Sequence, residues 1–248
     1  MSEHSNTPET PAIQPRHVFS SLPKYAAGKP PTPVEGLKQY KLSSNENPHG
    51  PIPEVARILA EFDATHRYPD PLSTKLRTAL AHRLGVDAHN IVTGAGSLGA
   101  LNQILKVFAG ASLDGTQDEV IYAWRSFEAY PILVGLLGAK SVQIPNLPNG
   151  AHDLNAMAQA VTDRTRVILV CTPNNPTGPA VTEAQMREFL TKIPENVVVV
   201  IDEAYYEFCT ASTVPAGQNA PVNGLTLLND HPNVIVLRTF SKAQGLAG

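Results

Sequence analysis

Residues 197–208 read VVVVIDEAYYEF, four valines and an isoleucine followed by two carboxylates and a pair of tyrosines. A β-branched run without polar alternation suits a strand covered on both faces, as in parallel sheets whose crossover helices pack on either side. Similar short apolar runs occupy residues 120–123, 142–144, 167–171 and 234–237. The spacers between them carry helical signals. Leu72, Leu76, Leu80 and Leu84 recur at four-residue steps and mark one face of a helix over 72–84. A second helix is expected over 97–108, with Leu101, Ile104, Leu105 and Phe108 inward. Others are expected near 127–137, 154–161 and 182–191, the last opened by Thr182 with Glu183 in its first turn. Strands alternating with helices place the chain in the α/β class, with a mainly parallel sheet and flanking helices.

The rest of the chain bounds what such a fold can serve. Its 248 residues carry a formal net charge of −3 and 42% hydrophobic residues. That balance leaves no basic footprint for nucleic acid, so small molecules are the expected partners. The first residues lack a basic segment followed by an apolar one, and no stretch approaches the roughly 18 apolar residues of a membrane span. Neither secretion nor membrane insertion is expected. Cys171 and Cys209 lie too far apart for a Cys-x-x-Cys pair, which fits a reducing cytoplasm. The histidines show no ligand spacing, and no metal site is assigned. Prolines cluster in the first fifth, so residues 1–40 read as an extended arm and 41–248 as one large domain.

In parallel sheets, ligands sit beyond the carboxyl ends of the strands, so the polar residues after each apolar run carry the functional question. Asp202 should emerge at a buried rim, where a carboxylate needs a partner. A protonated pyridine nitrogen would serve and would turn its ring into an electron sink; a turn cap is the plainer alternative. Lys242 follows the last run in Thr239-Phe240-Ser241-Lys242, a context in which flanking hydroxyls can bind phosphate while the lysine reaches a carbonyl. Taken alone, a lysine there reads first as a solvated loop lysine, and it is the flanking Thr239 and Ser241 hydroxyls that shift the balance. Gly94-Ala95-Gly96-Ser97-Leu98-Gly99 opens a helix with small residues that let backbone N–H groups approach an anion. Its spacing also matches the dinucleotide fingerprint of an oxidoreductase. That rival needs an acidic residue at the end of the next strand, whereas Asp114 precedes residues 120–123, which favours a single phosphate. Asn175 in Asn-Pro-Thr-Gly and the hydroxyl of Tyr205 can donate to a phenolic oxygen. Phe127 or Trp124 can stack on a ring, and each of these is also explained by a turn or by packing.

Five segments carry a resemblance: SSNENPHGP (43–51), RYPDP (67–71), CTPNNPTG (171–178), VIDEAYYEF (200–208) and LRTFSKAQGLAG (237–248). In this order they are similar to the fold-type-I, pyridoxal-phosphate-dependent aminotransferases, specifically the histidinol-phosphate and aromatic amino acid aminotransferase family. The resemblance implies Lys242 as the Schiff-base lysine and Asp202 as partner of the pyridine nitrogen. It places Asn175 and Tyr205 at the phenolic oxygen, Gly96, Ser97, Thr239 and Ser241 around the phosphate, and Phe127 on the ring. Tyr68 matches the position that reaches the neighbouring subunit's cofactor, implying a homodimer, and Tyr25 looks like a substrate-side residue. AWRSFEAYP (123–131) is closer to the aromatic branch than to the histidinol-phosphate branch. The implied reaction is a ping-pong transamination from an aromatic amino acid to 2-oxoglutarate, with histidinol phosphate as the alternative donor. Family members continue past the SKA-x-GLAG segment to an arginine for the phosphate and a smaller domain with one for the substrate carboxylate, whereas this sequence stops at Gly248. A fragment of a longer protein or an inactive truncated remnant is expected on that basis. Residues 1–248 alone are then expected to be aggregation-prone, to bind pyridoxal phosphate weakly and to transaminate little. Gln244 stands where the family commonly has an aromatic.

Overall fold

A computed structural model describes residues 16, 18–23, 28–29, 31–209 and 220–248. Seven α-helices among them are α1 (Val18–Ser21), α2 (Pro53–Ala60), α3 (Thr74–Leu84), α4 (Gly96–Phe108), α5 (Tyr130–Leu136), α6 (Leu154–Gln159) and α7 (Glu183–Leu190). The strands are β1 (Glu119–Trp124), β2 (Lys140–Pro145), β3 (Thr165–Cys171), β4 (Val198–Asp202) and β5 (Val234–Leu237). They form one sheet in the order β2-β1-β3-β4-β5, and every pairing is parallel. The chain therefore steps outward from β1 to β2, then returns past β1 to β3. That reversal creates a crevice beyond the carboxyl ends of the strands.

Alternation along the strands separates two cores. Ile121, Ile168, Val170, Val199 and Ile201 face α6 and α7, where Met157, Met186 and Phe189 are buried. Val120, Tyr122, Leu169, Cys171 and Val200 face the other way, against Leu101 and Leu105 of α4 and Tyr130, Leu133 and Val134 of α5. Each fully buried large aliphatic side chain contributes about 1.5–3 kcal/mol, so β1, β3 and β4, covered on both sides, anchor the domain. β2 is half exposed, as an edge strand can be.

Local signals explain the element ends. Thr182 caps α7 by accepting from the Gln185 N–H, and the Gln185 side chain accepts from the Thr182 N–H, a reciprocal capping box. Asp153 caps α6 through the Ala156 N–H at 2.9 Å. At the opposite end of the sheet from the carboxyl rim, the nearly inaccessible Glu119 accepts from Thr162 at 2.6 Å and pairs with Lys140 and Arg164, each at 3.0 Å. Burial pulls its pKa up, but these three donors outweigh burial and leave it below the usual carboxylate range.

Within the stretch expected as an extended arm lies the short α1. Two expectations need correction. The leucine stripe expected over 72–84 is covered only at one end: Leu80 and Leu84 are half-buried, whereas Leu72 is 64% and Leu76 40% exposed, because periodicity marks a face without saying what covers it. Phe108, expected inward with Leu101 and Leu105, ends α4 at the surface, 39% exposed. Tyr25 lies outside the described residues. No helix among the described residues is long and apolar enough to cross a membrane.

Candidate active site

Four loops meet at the carboxyl rim. β4 delivers Asp202 on the α4/α5 side, opposite Cys171 in the β3–β4 register. The carboxylate is 4% exposed. Its Oδ2 accepts from the Tyr130 hydroxyl at 2.7 Å, and its Oδ1 from the Ala204 N–H at 3.2 Å. The second bond is the local turn contact that the cap reading foresaw; the first is a long-range one that it did not. Burial holds the Asp202 pKa above the usual carboxylate range, the two donors offsetting it only in part. The same burial raises the Cys171 thiol to about 12, so it stays neutral. No cation pairs with Asp202 among the described residues.

Tyr205 follows β4. Its hydroxyl accepts from Asn45 Nδ2 at 3.1 Å, and the same amide lies 3.5 Å from Asn175 Oδ1. Burial raises the Tyr205 pKa, so the phenol remains protonated at neutral pH. Asn174, rather than Asn175, braces this loop. It is buried, accepts from Ser126 Oγ at 2.7 Å, and donates to Thr177 Oγ1 and the Arg125 carbonyl. Asn175 is thereby turned outward toward Asn45 and Tyr205. These residues, with Phe208 and Cys209, line a cleft of about 270 Å³.

Lys242 stands on the loop after β5. Its Nζ donates to the Asn45 carbonyl at 3.3 Å and lies 5.6 Å from the Tyr205 ring centroid. The loop is held from both sides. Asn47 donates to the Ala243 carbonyl at 3.0 Å, and a Cβ on Gly245 would come within 2.5 Å of Gly50, which excludes any larger residue there. On the strand side, Arg238 pairs at 2.8 Å with the fully buried Glu203, which also accepts from the Gly224 N–H at 2.6 Å. Arg238 stacks over Tyr206 at 4.2 Å. Thr239 Oγ1 donates to Ser241 Oγ at 3.0 Å and accepts from the Ser241 N–H at 3.1 Å.

Across from these hydroxyls, α4 begins at Gly96 with φ +64° and no side-chain cap on its first turn, where Ser97 is half-buried. A Cβ at Gly96 would sit 3.7 Å from Ser241 Oγ, so the absent side chain leaves an open notch between helix end and hydroxyl pair. Free N–H groups and hydroxyls facing one notch suit a phosphate. Phe127, after β1, meets the Tyr130 ring edge-to-face at 5.6 Å. Trp124 instead ends β1 and packs on Tyr122 at 6.1 Å. Tyr68 is fully exposed.

The structure thus brings to the rim Asp202 from the end of β4, Gly96 and Ser97 from the first turn of α4, and Asn175, Tyr205, Thr239, Ser241, Lys242 and Phe127 from the loops. Sequence reasoning missed Tyr130, Asn45 and the Arg238–Glu203 pair. Asn45 had a signal in its SSNENPHGP segment, and its φ of +49° is the left-handed backbone that asparagine tolerates. The dinucleotide alternative fails on topology. Asp114 sits in the turn before β1, bonded to the Thr116 N–H, and β1 ends in Trp124, with no acidic residue at its carboxyl end.

Comparison with known proteins agrees. The family model described as aminotransferase class I and II matches residues 38–248. The aromatic amino acid aminotransferase of Streptomyces coelicolor is 48% identical over 234 residues, covering 94% of this chain and 62% of that protein. That of Thermobifida fusca is 48% identical over 233 residues, with 94% and 61% covered. Among solved structures, histidinol-phosphate aminotransferase from Sinorhizobium meliloti in complex with pyridoxal-5'-phosphate superposes with a TM-score of 0.71 at 31% identity. The match covers 83% of this chain and 53% of that one. The chain spans about three fifths of the length of the curated relatives it matches. The matched family model and the sheet it covers establish that this chain belongs to the class I and II aminotransferases.

Proposed function

We propose that this chain supplies the cofactor-binding machinery of a pyridoxal-phosphate-dependent aminotransferase acting on aromatic amino acids. The observation that carries the reading is Asp202, a buried carboxylate with a phenol and one N–H as donors and no cationic partner among the described residues. A protonated pyridine nitrogen completes such a site. The notch between Gly96, Ser97, Thr239 and Ser241 fits the phosphate, and Asn175 and Tyr205 fit the phenolic oxygen. The half-buried Phe127 ring fits as a stacking partner for the cofactor ring. Pyridoxal phosphate, when bound, supplies an electron-poor ring that accepts the electron pair left when the substrate Cα loses its proton.

The residues divide the work. Lys242 would bond the cofactor aldehyde and, once displaced by the substrate amine, move a proton at the substrate Cα. The Asp202 carboxylate would hold the ring nitrogen protonated. Tyr205 and Asn175 would orient the ring through its oxygen, and Asn45, bonded to Tyr205 and accepting from Lys242, would keep both in register. The hydroxyls of Thr239 and Ser241 would fix the phosphate without charge.

The aromatic preference is supported by the aromatic amino acid aminotransferases at 48% identity, with 2-oxoglutarate as the proposed acceptor. Histidinol phosphate is the second reading, supported by the Sinorhizobium meliloti structure. Exposed Tyr68 suits a role in a homodimer, reaching the neighbouring subunit's cofactor, and the free Cys171 and Cys209 suit the cytoplasm. The family match beginning at residue 38 supports a boundary near residue 40 between an arm and the large domain. Transamination assays with phenylalanine, tyrosine and histidinol phosphate, each paired with 2-oxoglutarate, test the assignment. Higher kcat/KM for the aromatic donors is expected, and a strong preference for histidinol phosphate would replace the first reading with the second.

A further inference from the structure

We propose that Tyr130 is a positioning residue for the cofactor, its hydroxyl fixing the Asp202 carboxylate and its ring seating the Phe127 ring. The proposal rests on the pyridoxal-phosphate reading. It goes further by tying the group for the ring nitrogen and the group for the ring face to one side chain, Tyr130, that neither role includes.

Tyr130 is the first residue of α5 and is completely buried. Its hydroxyl donates to Asp202 Oδ2 at 2.7 Å, the short distance of a charge-assisted bond, across 72 residues of chain. Among the described residues, the remaining oxygen, Oδ1, has only the Ala204 N–H at 3.2 Å. Without the phenol, the carboxylate is free to turn about its last bond. The Tyr130 ring meets Phe127 edge-to-face at 5.6 Å and 87°, and Tyr122 at 5.6 Å and 68°. The Tyr130 N–H donates to the Phe127 carbonyl at 3.0 Å, so the turn linking the two rings is closed. Burial and the neighbouring carboxylate push the phenol well above its ordinary pKa, so it keeps its proton and remains the donor.

Tyr130→Phe removes the hydroxyl and keeps the ring packing. Wild type and variant are titrated with pyridoxal 5'-phosphate, following quenching of intrinsic fluorescence, and melted with and without saturating cofactor. The expected result is binding weakened about tenfold or more, with a correspondingly smaller rise in Tm on cofactor addition. In an Asp202→Asn background the same substitution should weaken binding less than threefold, because the bond it breaks acts through that carboxylate. A packing role alone would lower Tm equally with and without cofactor and leave the Kd unchanged, which would overturn the proposal. Full additivity with Asp202→Asn would do the same. Should Tyr130→Phe fail to fold, tyrosine carrying ¹³C at Cζ reads the bond in otherwise native protein. The Tyr130 resonance should shift on cofactor loading and in Asp202→Asn, and one unmoved by both overturns the idea. A wild type that binds no pyridoxal phosphate sinks the functional reading together with this proposal; wild-type binding that Tyr130→Phe leaves unaltered sinks this proposal alone.

Discussion

Substituting Arg238 by methionine isolates the ion pair that anchors the start of the Lys242 loop. Glu203 is fully buried, and among the described residues its carboxylate has two kinds of donor, the Gly224 N–H at 2.6 Å and the Arg238 guanidinium. Methionine preserves most of the stem's packing but removes the charge and the stack on Tyr206. Breaking one side of a buried pair typically costs about 3–5 kcal/mol, because the other charge is left desolvated. With Gly224 still donating, the lower end, about 3 kcal/mol at neutral pH, is expected. At a urea m-value of about 2–3 kcal/mol/M, that is a midpoint shift of roughly 1–1.5 M.

Burial already holds the Glu203 pKa above the ordinary value despite Gly224 and Arg238, and removing Arg238 raises it further. A folded state that binds the proton more tightly gains stability at low pH and loses it as pH rises through the folded pKa. The variant's deficit relative to wild type should therefore shrink toward pH 5, by at most about 1.4 kcal/mol per pH unit. Urea melts at several pH values between 5 and 8 provide the assay. A shift below about 0.5 kcal/mol, within the ordinary range for surface substitutions, or one independent of pH would refute the reasoning.

Two further substitutions probe the two ends of the sheet. Glu119→Gln should cost about 1–3 kcal/mol at neutral pH. Because the Glu119 pKa is depressed, that difference should disappear as pH falls through the folded pKa, read as a narrowed gap in acid-denaturation curves. Asp202→Asn should retain cofactor but lose turnover by on the order of 10²–10⁴, since a neutral amide cannot hold the ring nitrogen protonated. Without cofactor the same variant should gain stability over wild type as pH rises above the carboxylate range, because the raised Asp202 pKa makes ionisation in the folded state unfavourable. Turnover within a few-fold of wild type would remove Asp202 from its role.

The sheet was legible because each central strand is an unbroken apolar run, and burial on both faces leaves no room for alternation. β3 starts two residues before the expected run, and β4 is shifted from its run by one. The cap of α7 was legible for a local reason, with Thr182 and Gln185 three residues apart. What escaped was long-range. Tyr130 reads as one more apolar residue in a short helix, and only the fold brings its hydroxyl to Asp202. Asn45 meets Tyr205 across 160 residues, and Arg238 meets Glu203 across 35. Asn174 and Asn175 are identical in sequence, and only burial separates the brace from the residue facing the site. The exposed faces of α3 and of Phe108 failed for the converse reason, since a hydrophobic stripe does not name its cover.

The central claim is that Lys242 holds pyridoxal phosphate at the rim of this sheet. Incubation with pyridoxal 5'-phosphate, reduction with borohydride and peptide mass mapping test it most directly. A pyridoxyl adduct of near-unit stoichiometry is expected on the peptide containing Lys242, with its loss in Lys242→Ala while the folded state is retained. A folded protein that carries no adduct, or one labelled on other lysines while Lys242 stays free, would contradict it.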